Sequence, residues 1–389
     1  MNSTLTTSSN KKFCIVFYCG YSPQFNDRSS IPDTRCYGSE LATRYLACEF
    51  LKQIPLAEIH IFCDYEEQKE GENRDSNGLY FHNYNNFQTF QTTYWKQNGN
   101  KAIDVLIVSR YIHFFLEFVP LAEKIFFWMH DIGVQPYWRG QLLPDGARPY
   151  FVNVLNKFHK IIMLSEAERN WIVNDWIGKC KHYSLSGAQE DKFKVIGNGL
   201  STTHFSLPSS IKRIPNRFIY CSDPSRGLKE TLDCFEKIQE QIPDASLYIY
   251  YKLPEEPLLT RIQNMKNVYA KGKITQEELA QELQASEIWF YPTSFFETYC
   301  MSALEAQAAG TLCVATKYGA VQDTLGEGRG ILIEGDPTST EWQQEAISKT
   351  IQLLKLPEEE KQKIREGAQK WAFTQTWEKI ADQWIEYFE

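Results

Sequence analysis

Residues 291–315 read YPTSFFETYCMSALEAQAAGTLCVA. The apolar run Ile288–Tyr291 leads in as a buried strand. Ser302–Ala309 has the composition of a short small-residue helix and is stopped by Gly310, and Leu312–Ala315 is the next strand. Strand, loop, helix, glycine and strand in this order predict a parallel crossover unit. Glu297 falls in the loop and Glu305 on the helix, with seven residues between them. The backbone N–H groups around Cys300, Met301 and Ser302 then form a helix N-terminus, which suits an anion such as a diphosphate. Carboxylates do not usefully touch phosphate, but they accept hydrogen bonds from sugar hydroxyls on either side of it. The pattern therefore points to a nucleotide-sugar, with one glutamate for each sugar. Taken singly, the two residues would be an ordinary loop glutamate and an ordinary helix-surface glutamate.

Outward from this stretch, short apolar runs alternate with amphipathic ones. Phe13–Tyr18, Ile59–Cys63, Val105–Val108, Ile125–Met129, Ile161–Leu164 and Lys194–Ile196 read as strands of a first series. Gly38 to Leu51 reads as a helix, and the polar, Asn-rich stretch from Gly71 to Asn98 as irregular. Residues 201–216 read as a linker. A second series follows with strands at Phe218–Cys221, Leu247–Tyr251, Val268–Ala270, Ile288–Tyr291 and Leu312–Ala315, and Glu359 to Glu389 reads as helix. Two such series predict two Rossmann-like domains, residues 1–200 and 217–372, with a closing helix at 373–389. Parallel sheets facing a cleft, with ligand at the carboxyl ends of the strands, are the expected arrangement.

The Glu297–Glu305 pattern resembles that of the retaining glycosyltransferases of family 4, which have the GT-B fold. The resemblance implies that Glu297 contacts the transferred sugar and Glu305 the nucleotide ribose. It places the backbone of Thr298, Tyr299, Cys300, Met301 and Ser302 on the sugar and diphosphate. The strand-to-linker turn Val195–Leu200 is similar to the family's, with Gly197 and Ser201 departing from its Pro and Asp. Residues 221–229, CSDPSRGLK, correspond to a loop where the family carries two cations toward the diphosphate. Arg226 fits the second; the first is absent, with Cys221 or Ser222 near its place. A guanidinium clamps phosphate oxygens in bidentate fashion, so Arg226 is a credible substitute. Lys229 is a second cation, with plain solvation as its alternative.

By the same resemblance, Gly272, Lys273 and Ile274 belong to a base-binding loop, and Gly38 allows backbone approach to the donor, an ordinary turn glycine being the alternative. His130, just past a strand, contacts the donor sugar. The rest of the chain departs from other chemistries. There is no P-loop, no HExxH, no paired Cys-x-x-Cys and no cluster at zinc spacing, so neither a metal nor a cofactor is expected. The net charge of −8 disfavours nucleic acid as the partner. Neither a secretory signal nor a membrane-length apolar run is evident, and the scattered cysteines read as free thiols. A cytoplasmic location is expected, with peripheral membrane contact left open.

The resulting expectation is a retaining, metal-independent hexosyltransferase. It would use a UDP- or GDP-linked sugar as substrate and a glycan, glycolipid or glycoprotein hydroxyl as acceptor. Glu297, His130 and Arg226 would carry the chemistry, Arg226 and the helix amides would hold the leaving diphosphate, and domain closure would exclude water. The aromatic-rich stretch from Tyr111 to Trp138 is expected to line the acceptor side. The alternatives are a GT-B nucleotide-sugar epimerase and a non-catalytic nucleotide-sugar-binding module.

Overall fold

In the computed structural model the described residues are 12–20, 38–65, 74–131, 137–138, 141–142, 147–178, 185–205 and 211–388. The chain divides into two compact units. One runs to Asn198 and is completed by Trp377–Glu389; the other is Gly199–Thr376.

The first unit is built on seven parallel strands: β1 (Phe13–Tyr18), β2 (Ala57–Cys63), β3 (Tyr80–Asn83), β4 (Ile103–Ser109), β5 (Ala122–Trp128), β6 (Lys160–Met163) and β7 (Phe193–Val195), in the order β3-β2-β1-β4-β5-β6-β7. Cys14–Tyr18 and Val105–Ser109 are buried throughout. That is the expected pattern for strands covered on both faces, and it explains why they read as continuous apolar runs. Helix α1 (Gly38–Gln53) follows β1 in sequence and packs on β2.

Helix α2 (Phe87–Gln97) and strand β3 lie in the Asn-rich stretch expected to be irregular. The asparagines serve as turns and caps: Asn83 Oδ1 accepts from the Asn85 N–H at 3.0 Å. Phe87, Gln91 and Tyr94 then recur on one buried face of a helix whose other face is Gln and Thr.

The second unit repeats the plan with β8 (Arg217–Tyr220), β9 (Ser246–Tyr250), β10 (Val268–Gly272), β11 (Ile288–Tyr291), β12 (Leu312–Thr316) and β13 (Ile331–Ile333), ordered β10-β9-β8-β11-β12-β13. All pairings are parallel. The order reverses between β1 and β4 in one unit and between β8 and β11 in the other. In doubly wound sheets a ligand sits at this point.

The carboxyl-terminal segment is two helices, not one. Helix α5 (Glu358–Ala372) ends before helix α6 (Trp377–Ile385), and the break is tied down by the Leu200 N–H donating to Gln375 O at 2.6 Å. Helix α6 belongs to the first unit. Trp384 is fully buried against Trp128 and Phe126, and Trp377 stacks on Tyr45.

The aromatic stretch beginning at Tyr111, expected to line an acceptor surface, is core in its described part. Tyr111, Phe114, Phe126, Phe127 and Trp128 are buried, and Phe114 meets Tyr18 and Phe87 edge-on. Side chains 132–138 lie outside the described residues. Among the described residues no helix is long and apolar enough to cross a membrane.

Candidate active site

The second unit's site is assembled at its reversal point. After β8, Tyr220 Oη donates to Asp223 O at 2.8 Å, and Asp223 in turn caps the single helical turn Pro224–Arg226 by accepting from the Ser225 N–H. Gly227 follows with φ of 111° and opens α3 (Leu228–Gln241). A Cβ at Gly227 would lie 2.2 Å from Pro292 O, so only glycine lets this loop close on the one after β11. That contact brings Arg226 to Glu297. Arg226 Nη1 donates to Glu297 Oε1 at 2.9 Å, and Tyr291 Oη donates to the same oxygen at 2.6 Å.

Glu297 is only 7% exposed, while the Arg226 side chain is 36% exposed and lies over the Phe295 ring at 4.0 Å. Burial would lower the Arg226 pKa; the Glu297 carboxylate and Tyr291 override this and raise it. The backbone of Glu297 is fixed from the other side, where Ala320 N–H donates to Glu297 O at 2.8 Å. Gly319, at φ of 54°, leaves no room for a Cβ against that oxygen.

Helix α4 (Met301–Ala308) starts from Cys300, which adopts φ of 68°. The Ala303 N–H is already turned onto Cys300 O, leaving Met301 and Ser302 as the leading amides. One turn on, Glu305 is half-buried, and no described residue donates a hydrogen bond to its carboxylate. Burial pushes that carboxyl up to about 7. The neighbouring Cys221 thiol is pushed up to about 12 by burial and then by Glu305, so it is not a nucleophile at neutral pH.

The other residues expected on the donor side are placed as follows. Thr298 and Tyr299 lie in the loop between Glu297 and α4, and Tyr299 O accepts from Thr324 Oγ1. Ser222 is half-buried at the start of the β8 loop. Gly272 ends β10 with φ of 76°, Lys273 reaches over the Tyr251 ring at 5.2 Å, and Ile274 precedes Thr275, which caps the next helix in a reciprocal box with Glu278. Lys229 instead pairs with Asp233 at 2.8 Å on the exposed surface of α3, the solvated alternative.

In the first unit Gly38 opens α1 and is exposed; a Cβ there would meet nothing, so the protein itself does not require glycine. His130 follows β5 and lies against Trp128 with ring centroids 4.4 Å apart. Burial, with the Arg110 guanidinium nearby, holds His130 well below 6.5, so the ring is neutral at pH 7.

The sequence reading missed the group around it. Arg110, at φ of 67° past β4, donates to Asp131 at 2.8 Å and to Ser39 Oγ at 3.2 Å, and lies 3.8 Å from Glu40. No local pattern announces Arg110, because its partners are distant in sequence. Glu168 was also missed. It is fully buried, accepts the Leu164 N–H at 2.7 Å, and is held well above the usual carboxylate range by burial and then by Asp131. The Ser165-x-x-Glu168 spacing was a visible signal, and Ser165 Oγ does accept the Glu168 N–H. Among the described residues no group of three or more His, Cys, Asp or Glu is placed to hold a metal ion.

Residues 218–371 match the family model described as glycosyl transferases group 1. Over 177 residues the chain is 28% identical to the D-inositol 3-phosphate glycosyltransferase of Corynebacterium urealyticum, covering 45% of this chain and 35% of that protein. The chain thus matches about a third of that relative's length. Among solved structures, sucrose-phosphate synthase from Thermosynechococcus elongatus superposes with a TM-score of 0.70 at 16% identity, covering 97% of this chain and 98% of that one. Anabaena Alr3699/HepE, solved with UDP and glucose, gives 0.63 at 16% identity, covering 96% and 98%. At these identities the likeness is one of fold, and the fold is GT-B: two parallel-sheet α/β units.

Proposed function

We propose that the protein is a retaining glycosyltransferase that moves a sugar from a UDP- or GDP-linked donor to a hydroxyl of a glycan or glycoconjugate. The observation that carries this reading is the junction of Arg226, Glu297 and the start of α4 at the reversal point of the second sheet. It lies inside the segment that matches the group 1 glycosyl transferases. Arg226 and the amides of Met301 and Ser302 supply positive charge where a departing diphosphate would collect negative charge. Glu297 supplies acceptors for hydroxyls of the transferred sugar, and Glu305 for the ribose. His130, being neutral, serves as a hydrogen-bonding group and not as a cation.

In the step itself the bond from the anomeric carbon to the diphosphate oxygen breaks as the acceptor oxygen bonds on the same face. The acceptor's proton passes to the departing phosphate oxygen, so no protein base is assigned. The same charges could serve without a divalent ion.

A thermal-shift screen against UDP, GDP, ADP, dTDP and their sugar conjugates, with and without magnesium, tests the reading. Selective stabilisation by one nucleotide family is expected, with product formation when an acceptor is supplied. Absence of a shift with every nucleotide overturns it.

Two further outcomes are specific to this site. Nucleotide affinity should rise with pH through about 7 and level off above it, because hydroxyl donors bind the ionised form of Glu305. Below pH 7 the loss approaches about tenfold per unit, and Glu305→Gln should flatten the profile. Tyr291→Phe removes one of the two donors on Glu297 Oε1. It should lower kcat about tenfold with little change in the donor KM, as measured by initial rates.

A further inference from the structure

Away from the residues just described, the first unit carries a groove of about 640 Å³ between α2 and the sheet. One wall is a single face of α2: Thr89, Phe90, Thr93, Tyr94 and Gln97, at helical spacing. The opposite wall is Lys12, Glu58 and His60, from the amino-terminal ends and middle of β1 and β2. The groove shares no residue with the candidate active site. Its volume lies within the range of pockets that hold small organic ligands, roughly 300–1,000 Å³.

The chemistry of the walls selects the ligand. Thr89, Thr93 and Gln97 are exposed, and their side chains make no hydrogen bond to any described residue. Hydroxyl and amide groups both donate and accept, so this wall matches a ligand that does the same. Phe90 and Tyr94 add apolar ring surface between them. The two charges cancel, since Lys12 pairs with Glu58 at 3.3 Å.

His60 is the most specific feature. It is 6% exposed, stacked on Tyr80, and its Nδ1 lies 2.9 Å from His82 Nε2. Its other nitrogen, Nε2, is buried with no hydrogen-bond partner. Burial first, then the neighbouring His82 and Lys12, keeps the ring neutral at pH 7. If His82 donates to His60, then His60 Nε2 carries a proton and must donate; if His60 donates, Nε2 must accept. A hydroxyl satisfies either tautomer, an anion only the first, and a cationic N–H only the second.

We propose that this groove is a second, non-catalytic saccharide site that holds a neutral oligosaccharide along α2. The inference stands apart from the transfer chemistry, so the two fail separately.

The test uses the full chain labelled with ¹⁵N-histidine and titrated with maltotriose, mannotriose, cellotriose and chitotriose. The imidazole resonances of His60 and His82 are followed. At least one trisaccharide should move them saturably at millimolar concentration. Thr93→Trp, which fills the groove from an exposed helix position, should weaken that response at least about tenfold while leaving the nucleotide-induced thermal shift intact. Thr89→Tyr is a second filling variant should the first fail to fold. A response to none of the four sugars overturns the proposal. So does a response that survives both variants, equal binding of glycerol (an adventitious additive only), or tighter binding of inorganic phosphate.

Discussion

Arg226→Ala should lower kcat by about 10²–10³-fold, the range seen when one preorganised donor to a developing oxyanion is removed. Arg226 is already held in place before any ligand arrives. Its guanidinium lies on Phe295 and donates to Glu297, so little reorganisation is needed for its remaining N–H groups to meet a diphosphate. Arg226→Lys should recover only a fraction, because an ammonium cannot span both a carboxylate and a phosphate oxygen in one plane. The fold should persist, since Tyr291 Oη still donates to Glu297 and the Ala320 N–H still holds its backbone. A double-mutant cycle sharpens the test. Arg226→Ala and Glu297→Gln touch the same contact, so the double variant should lose little more than the worse single variant. Initial rates for the four proteins decide this. Simple multiplication of the two losses would mean that the residues act separately and that the pairing is incidental.

The parts legible in the sequence were those governed by local pattern. β11, α4 and β12 follow from an apolar run, a small-residue helix and Gly310, and the Glu297–Glu305 spacing lies within that one unit. What was not legible depends on contacts between distant residues. The strand β3 and helix α2 are short or polar on one side, and they are stable because Phe87 and Tyr94 pack on the core. Their asparagines, read as irregular structure, are caps. The joining of Arg226 to Glu297 by Tyr291 could not be read from spacing, because Tyr291 looks like any apolar strand residue until its hydroxyl is seen to reach the carboxylate. The aromatics from Tyr111 onward misled for the opposite reason. Their composition suits a sugar surface, but the described ones are spent on burial. Lys229 sits at the family's place in the chain, and the first turn of α3 points it at Asp233, which fits its solvated alternative.

Gly227→Ala should damage both stability and transfer, although alanine carries no reactive group. The position combines φ of 111°, which side chains rarely adopt, with an added Cβ 2.2 Å from Pro292 O and 2.8 Å from Pro292 C. Both obstacles are backbone, so neither can be relieved by a rotamer change. Either the β8 loop or the β11 loop must move. The strain and the lost contact together are expected to cost about 4 kcal/mol, at the upper end for a single substitution. A chemical-denaturation midpoint for the second unit's transition measures this. Movement of either loop also separates Arg226 from Glu297, and a misplacement of about 1 Å in such a constellation lowers turnover roughly a hundredfold. Gly38→Ala is the matched control. Its Cβ would meet nothing within 4 Å, and it sits at the first residue of α1. Stability there should hold or improve by up to about 1 kcal/mol. If Gly38→Ala nonetheless raises the donor KM, the space above that glycine belongs to the substrate. If Gly227→Ala proves as stable as the parent, the two loops do not close on one another as the backbone geometry requires.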